Sequence, residues 1–202
     1  MSVLPIHITG SPVLHQVASR IDGVTDEIRH LVADMTETMH EAPGVGLAAP
    51  QVGVGLQLFV WHYDDGEILS EGHVLNPTLR LAGRRHHRWF GTPDEEGCLS
   101  IPGQRAPLAR ADRATLEGVN LDGNPVFVEA QGWLARIFQH EFDHLQGLLY
   151  RDRVTRRERR LIDAAVAEIG WGVPGESWIP GPGHREVDFV DEELGHPAEE
   201  AQ

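Results

Sequence analysis

Two histidines and a glutamate in the second half of the chain form the pattern H-E-x-x-H, with His140, Glu141 and His144. On a helix, residues four apart share one face with their Cβ atoms about 5–6 Å apart, so both imidazoles can bind one metal ion. A carboxylate beside the first histidine can reach a water at that metal without binding the metal, which is the position of a general base. The pattern therefore predicts a hydrolytic metal site, although an ordinary helix with two hydrogen-bonded histidines also explains it.

The surrounding residues predict the helix that such a site needs. Between Gly132 and Gly147 neither Pro nor an interior Gly interrupts the chain. The apolar residues in this interval recur at helical spacing: Leu134, Ile137, Phe138 and Leu145. We therefore expect a helix that ends close to Gly147 and carries both histidines on one face.

A catalytic site of this kind needs a third protein ligand and an open position for water. A third histidine six residues beyond the second, as in metzincin proteases, is absent because Tyr150 stands there. A Glu from a later helix is an alternative, offered by Glu158 or Glu168, although Glu158 is better explained as a helix cap. Cys98 is the stronger candidate, since a thiolate is a good ligand for borderline and soft divalent ions.

Composition limits the class of protein. With 202 residues, 41% of them hydrophobic and 24% charged, the chain is typical of one globular domain. The net charge of −14 argues against nucleic acid or an anionic membrane as a general partner. One cysteine cannot form an internal disulfide, no apolar run approaches about 18 residues, and no secretion signal is visible. We therefore expect a cytoplasmic protein without membrane contact or direct nucleic-acid specificity.

Periodic patterns place helices and strands on either side of the histidine helix. An N-terminal helix begins after Thr25, and a C-terminal helix begins after Thr155, where the sequence matches a capping box. We expect strands at 56–63, 73–81, 114–121 and 126–130, with an edge or a bend at Asn76-Pro77. The polar segment 84–94 is expected to be a surface loop.

The end of the chain differs in composition from the rest. Residues 171–202 are rich in Gly and Pro and contain eight acidic side chains but one Arg. Such a segment buries little apolar surface, so we expect it to be extended or partly disordered. The predicted organisation is a catalytic domain over residues 1–170 and an acidic tail over residues 171–202.

Three segments resemble the signature motifs of the peptide deformylases, in the family's order and with similar spacing. They are residues 44–51 (GVGLAAPQ), 96–100 (EGCLS) and 139–145 (QHEFDHL). The resemblance extends over about residues 1–170. It implies removal of the formyl group from the N-terminal formylmethionine of newly made bacterial and organellar proteins. It also implies an α+β fold with antiparallel or mixed sheets packed around a central metal-binding helix, flanked by an N-terminal and a C-terminal helix.

The resemblance implies a role for each motif residue. One divalent metal would be bound by Cys98, His140 and His144. This metal would be Fe²⁺ in the cell, and Zn²⁺, Ni²⁺ or Co²⁺ would be able to replace it. Glu141 would be the acid/base residue, while the side-chain amide of Gln51 and the backbone N–H of Leu99 would stabilise negative charge on the formyl oxygen.

The implied substrate is the N-formylmethionyl end of a nascent peptide. It would lie extended along the segment that contains Val45 and Gly46, paired by backbone hydrogen bonds that do not depend on sequence. Arg136 departs from the aliphatic residue often found in the methionine pocket. Either its stem lines the pocket with the charged head outside, or the pocket differs. The other implied substrate-binding positions are Gly97, Arg105, Trp133 and Ile137.

Two further contacts are expected, one beside the metal ligands and one with the ribosome. Arg110 is expected to pair with Asp143, next to the metal ligands. Because the substrate emerges from the ribosome, we expect a transient ribosome contact. A basic group at the start of the last helix is the candidate surface, and solvated helix surface explains it equally well: Arg156, Arg157, Arg159 and Arg160.

Two alternative functions are consistent with parts of the pattern. One is an inactive relative that binds formylated peptides, and the presence of Gln51 and Glu141 argues against it. The other is a different H-E-x-x-H metallopeptidase, which Tyr150 and Cys98 disfavour.

Overall fold

The computed structural model describes residues 2–42, 44–67, 69–86, 88–89, 92–93 and 95–181, which form an α+β fold. Within them the α-helices are α1 (Asp26–Glu41), α2 (Gly132–Leu145) and α3 (Arg156–Ile169). The strands are β1 (Ile6–His7), β2 (Gly46–Ala48), β3 (Leu58–Asp64), β4 (Leu69–His86), β5 (Arg88–Trp89), β6 (Thr92–Pro93), β7 (Glu95–Cys98), β8 (Ile101–Pro107), β9 (Arg110–Val119), β10 (Pro125–Gln131) and β11 (Ser177–Trp178). Short 3-10 helices span Pro12–His15, Ala49–Val52 and Tyr150–Asp152.

The main sheet has five antiparallel strands in the order β10-β9-β4-β3-β2, which places β2 at one edge. Strand β4 bends where its pairing shifts register between Leu75 and Thr78. At this point Asn76 has a φ of 51°, and its side-chain amide bonds both the N–H and the C=O of Ile21 at 2.8 Å. This irregularity lies where β4 leaves β3, since β3 pairs with β4 only up to Leu75 and β9 pairs with it from Thr78 onwards, in agreement with the expected edge or bend.

Helix α2 packs against the sheet through its apolar face. Leu134, Ala135, Ile137 and Phe138 are buried in one cluster with residues of β3, β4 and β9. The ring of Phe138 meets the ring of Trp61 edge-on, with centroids 5.2 Å apart. Helix α1 buries its apolar residues in a second cluster with residues of β2, β3 and β4. The predicted metal-binding helix is therefore the central one.

The end of α2 depends on a glycine. Gly147 adopts a φ of +71°, and a Cβ atom there would lie 2.8 Å from backbone atoms of Gln16. A residue with a side chain would be strained in this conformation and would also collide with the N-terminal segment. Gly147, which marks the predicted end of the helix, thus lets the chain leave the helix while lying close to the backbone of Gln16.

The predicted loop at 84–94 is wrong in part. Strand β4 continues to His86, where Arg85 pairs with Ala111 and His86 with Arg110, and short strands β5 and β6 pair with each other. Strand pairing uses backbone hydrogen bonds, so a polar sequence does not prevent it. His87, Phe90, Gly91 and Asp94 lie outside the described residues.

The predicted helix caps and hairpin are confirmed. Thr25 accepts a hydrogen bond from the N–H of Ile28, and Thr155 accepts one from Glu158. The turn at Asp122-Gly123-Asn124 joins the antiparallel strands β9 and β10. Each of these features is local, which explains why sequence patterns predict them.

The segment after α3 packs against the start of the chain. Helix α3 ends at Gly170, which adopts a left-handed conformation, and β11 then pairs with β1. Residues 182–202 of the predicted tail lie outside the described residues. Among the residues that are described, no helix combines the length and apolarity needed to span a membrane.

Candidate metal centre and active site

Three side chains from two elements bring their donor atoms together. His140 and His144 lie at the C-terminal end of α2, with their Nε2 atoms 3.2 Å apart. Cys98 ends β7, and its Sγ lies 3.3 Å from Nε2 of His144. The three donor atoms all lie within 4.8 Å of one another. Around a tetrahedral ion with bonds of about 2.0–2.3 Å, ligand atoms lie about 3.3–3.6 Å apart, so this donor set fits one small divalent ion.

The charges around these donors also suit a cation. Burial alone would lower the pKa of His140, but the Cys98 thiolate and the Glu96 carboxylate more than offset it and raise the pKa well above its usual value. Burial and the nearby charge of His140 hold the pKa of His144 well below its usual value. The negative groups around His140 therefore favour positive charge at this position, carried by the imidazole or by a bound cation, while His144 stays neutral, as a metal ligand must be.

Glu96 orients the first histidine. Its Oε1 lies 2.7 Å from Nδ1 of His140, which directs Nε2 of that ring towards the other donors. The carboxylate receives hydrogen bonds from Nε and Nη2 of Arg110 at 3.0 and 2.5 Å. Burial would raise the pKa of Glu96, but the Arg110 guanidinium and the His140 hydrogen bond hold it well below its usual range. Glu96 is therefore a charged anchor for the ligand.

Arg110 also bonds Asp143, near the C-terminal end of α2. Nη1 of Arg110 donates to Oδ2 of Asp143 at 2.7 Å, which confirms the predicted pair. Arg153 donates to the other oxygen of Asp143 at 2.7 Å. The side chain of Gln139 bonds the backbone N–H and C=O of Ala111 at 3.0 and 2.9 Å. These contacts attach the ligand-bearing turn of α2 to strand β9.

Glu141 is buried beside the donor atoms, with 3% of its surface exposed. Its carboxyl group lies against Gly46, where an added Cβ atom would be 2.8 Å from the carboxyl carbon. Among the described residues no hydrogen-bond partner reaches its Oε2. Burial raises the pKa of Glu141 to about 7, because the nearby cations offset desolvation only in part. The group is thus suited to exchanging protons near neutral pH.

Gln51 directs its amide N–H₂ group towards the same site. Its Oε1 accepts a hydrogen bond from the N–H of Ala48 at 2.8 Å. Its Nε2 therefore points to Sγ of Cys98 at 3.7 Å and to Oγ of Ser100 at 3.4 Å. Leu99 and Ser100 form the two-residue turn between β7 and β8. A donor group and a tight turn therefore lie next to Cys98.

These residues open onto one cavity of about 210 Å³. Its lining includes Gln51, Cys98, Leu99, His140 and Glu141, whereas His144 is not part of the lining. Every position that the sequence assigned to substrate binding also lines it: Val45, Gly46, Gly97, Arg105, Trp133, Arg136 and Ile137. Residues from three separate stretches of the chain, 44–51, 95–105 and 133–141, therefore meet around one space.

Comparison with known proteins agrees with this geometry. The family model described as polypeptide deformylase matches residues 3–160. The chain is 45% identical over 189 residues to a peptide deformylase of Tropheryma whipplei (strain TW08/27), covering 88% of this chain and 94% of that protein. It is 41% identical over 201 residues to a peptide deformylase of Rhodococcus opacus (strain B4), covering 97% of this chain and 99% of that protein.

The chain belongs to the peptide deformylase family. The crystal structure of the Ehrlichia chaffeensis peptide deformylase in complex with actinonin has the same fold, with a TM-score of 0.74 and 34% identity over 84% of this chain and 99% of that one. The chain is a hydrolase that removes the N-formyl group from nascent peptides. The inactive binder and the other metallopeptidase are therefore not favoured.

The structure shows the surroundings of Arg136, which the resemblance placed at the methionine pocket. Its side chain is only 6% exposed, so its charged head is held inside the protein. Its Nη1 donates to Oε2 of Glu96 at 2.9 Å and to the C=O of Leu108 at 3.0 Å, and the guanidinium lies 5.3 Å from the ring centroid of Trp133. A buried carboxylate makes this position stable for a cation, and the sequence pattern did not reveal that carboxylate.

Sequence reasoning assigned no role to several residues around the deformylase site. Glu96 was quoted only as part of a motif, yet it joins His140, Arg110 and Arg136. Arg153 was not identified, although it holds Asp143. The position of Glu96 two residues before Cys98 was the one available clue, because residues two apart in a strand point to the same face.

Proposed function

We propose that this deformylase binds one divalent ion through Cys98, His140 and His144 and uses Glu141 as its proton carrier. The observation that supports this most strongly is the convergence of three metal-type donor atoms with a buried carboxylate on one cavity. A divalent ion bound there supplies Lewis acidity and lowers the pKa of a water molecule. The remaining steps depend on side chains of the chain itself.

Glu141 takes a proton from the attacking water and later gives one to the departing amine. Water adds to the formyl carbon, the carbon–nitrogen bond breaks, and the products are formate and a free N-terminus. Burial and a pKa near 7 support both transfers, because the carboxyl group is then neither too weak a base nor too weak an acid. Gly46 leaves the room that the carboxyl group occupies.

Two donors stabilise the negative charge that develops on the formyl oxygen. We assign these roles to Nε2 of Gln51 and to the backbone N–H of Leu99. The hydrogen bond from Ala48 to Oε1 of Gln51 supports the first assignment, since it leaves the N–H₂ group directed at the site. Preorganised donors of this kind stabilise the transition state without reorientation during the reaction.

The substrate extends the main sheet at its edge. Strand β2 is the last strand in the sheet order, so Val45 and Gly46 are placed to pair with an extended peptide. Gly97 lines the cavity on the side of β7. The methionine side chain lies against apolar atoms of Trp133 and Ile137. Arg105 and Arg136 line the same cavity and contribute its polar edges.

Ferrous iron is the proposed metal in the cell. The Cys/His₂ donor set also accepts Zn²⁺, Ni²⁺ and Co²⁺, so the ligands alone do not select the ion. Protein prepared without oxygen is expected to contain iron and to release formate from formyl-Met-Ala fastest per bound metal in that form. Elemental analysis and formate assays of iron-loaded and zinc-loaded protein measure this. The Glu141→Ala variant serves as a control that binds metal but releases little formate. Equal rates with zinc would overturn the assignment.

A nascent substrate also implies a cytoplasmic site of action and a transient ribosome contact. The first residues of α3 form an exposed basic group that supports this contact: Arg156, Arg157, Arg159 and Arg160. Changing Arg156 and Arg157 to Glu is expected to weaken cosedimentation with ribosomes several-fold at low salt. The same change at Arg20 and Arg29, outside α3, is the control. Equal losses in both variants would contradict a specific contact.

The division of the chain at residue 170 is likewise proposed. Residues 1–170 would form the catalytic domain, and residues 171–202 the acidic tail. The end of α3 at the left-handed Gly170 supports this boundary, and the first residues of the tail then pack on the catalytic domain through the pairing of β11 with β1.

A further inference from the structure

We propose that Trp178 is a positioning residue that holds the turn between β7 and β8 in its catalytic orientation. We name residues 98–101 the oxyanion turn, because they contain Leu99. The proposal rests on the proposed role of the Leu99 N–H as a donor to the formyl oxygen. Trp178 lies beyond residues 3–160, which the family model matches, and belongs to the segment after α3.

The carbonyl groups of the two central residues of the oxyanion turn, Leu99 and Ser100, receive hydrogen bonds from outside its own hairpin. The C=O of Leu99 accepts one from Nε1 of Trp178 at 2.9 Å. The C=O of Ser100 accepts one from the backbone N–H of Thr9 at 2.8 Å. The N–H of Leu99 belongs to the adjoining peptide plane, so its direction depends on how the Leu99 carbonyl is held. The two donors therefore restrict rotation of the whole turn.

The oxyanion turn contains one proposed metal ligand and contacts Gln51. Its first residue is the ligand Cys98, whose Sγ accepts a hydrogen bond from the N–H of Ser100 at 3.4 Å. The hydroxyl of Ser100 lies 3.4 Å from Nε2 of Gln51. A rotation of the turn would therefore disturb the N–H of Leu99 and the environment of Gln51 together. Donor placement within about an ångström matters greatly to the rate.

The segment that carries Trp178 is held firmly against the start of the chain. Strand β11 pairs Trp178 with Ile6, and the N–H of Ile8 donates to the C=O of Glu176 at 3.0 Å. The N–H of Gly172 donates to the C=O of Thr9 at 3.1 Å. The φ of Gly10 is +102°, and an added Cβ atom there would overlap the backbone of Gly172. Backbone hydrogen bonds to residues 6–9 thus hold the segment that carries the indole.

The chemistry of tryptophan suits this position. Its indole N–H donates and cannot accept, so it matches a carbonyl oxygen. The ring packs on the apolar cluster that contains Met35 and Leu47, and the Leu99 side chain packs on the same cluster. Phenylalanine would retain most of this apolar contact but would lack the donor. A Trp178→Phe substitution therefore removes the hydrogen bond with limited loss of packing.

The test compares Trp178→Phe with wild type in the full, metal-loaded chain. We expect kcat for formyl-Met-Ala to fall about tenfold with KM unchanged, because the donor is misplaced and not deleted. Amide hydrogen exchange in peptides that cover residues 98–101 is expected to become faster. Trp61→Phe, which removes an indole donor to Oγ of Ser70 at 3.0 Å in a different apolar cluster, is the control and is expected to change neither quantity.

The combined measurements separate this proposal from the role of Leu99. Faster exchange with a lower kcat and an unchanged KM supports both. Faster exchange with an unchanged kcat shows that Trp178 holds the turn but that the orientation of the turn does not affect the rate. This result overturns the positioning role of Trp178 in catalysis and the donor role of the Leu99 N–H. Unchanged exchange overturns the positioning role and leaves the role of Leu99 intact. A higher KM at constant kcat, or an equal effect of Trp61→Phe, also overturns the proposal.

Discussion

Replacing Glu141 by Gln lowers kcat for formate release by about 10²–10⁴-fold, while KM and bound metal stay close to those of wild type. Glutamine has the same size and fits the space beside Gly46, but its amide cannot accept a proton from water. The three proposed metal ligands are unchanged in this variant. Formate release measures the rate, and elemental analysis measures the metal content.

A second variant allows the loss of kcat in Glu141→Gln to be compared with the loss caused by removing one side-chain donor. Gln51→Leu removes one side-chain donor and is expected to lower kcat by about 10²–10³-fold. If Glu141 moves protons and Gln51 stabilises charge, both variants lose kcat and retain KM. A Glu141→Gln protein with more than about a tenth of the wild-type kcat would exclude Glu141 as the proton carrier. Loss of metal from that variant would instead indicate that Glu141 supports the ligands.

Replacing Arg110 by Met lowers the free energy of unfolding by about 3–5 kcal/mol. Arg110 is only 5% exposed and bonds both Glu96 and Asp143, which are also buried. Without it, Glu96 keeps Arg136 and Asp143 keeps Arg153, but each carboxylate loses its bond to the guanidinium that joined the two. Urea denaturation followed by circular dichroism measures the change.

A surface pair provides the matched control. Arg80 pairs with Glu117, and the Arg80 side chain is 70% exposed. Arg80→Met is therefore expected to change the free energy of unfolding by about 0–1 kcal/mol, because water screens exposed ion pairs. Equal effects of the two substitutions would contradict a structural role for the buried network. If the Arg110→Met chain does not fold, Arg110→Lys keeps the charge and tests the loss of the bidentate contact alone.

The local features of the fold were predictable. Thr25 and Thr155 cap their helices through hydrogen bonds to residues three positions away, and the β9–β10 turn depends on Asp122-Gly123-Asn124. Interactions over such short distances are encoded in neighbouring residues. The loop at 84–94 was predicted wrongly in part, because pairing of Arg85 with Ala111 depends on where β9 lies and not on the polarity of the segment.

In the candidate site too, some features were predictable from the sequence and others were not. The spacing of His140 and His144 on one face follows from the α-helix itself, and Cys98 was identified by the chemistry of its thiolate. Membership of the deformylase family follows from three short motifs and is confirmed by the comparisons. The sequence by itself therefore determined the family, the central helix and a candidate for each ligand.

Only the tertiary structure decided the environment of those groups. It buries Arg136 against Glu96, raises the pKa of Glu141 through burial, and brings Trp178 to the carbonyl of Leu99. Each of these depends on residues 40 or more positions apart, or on how much water a fold excludes from a carboxyl group. Burial and long-range contacts arise when separate strands and helices pack together, and a linear pattern of residue types carries neither.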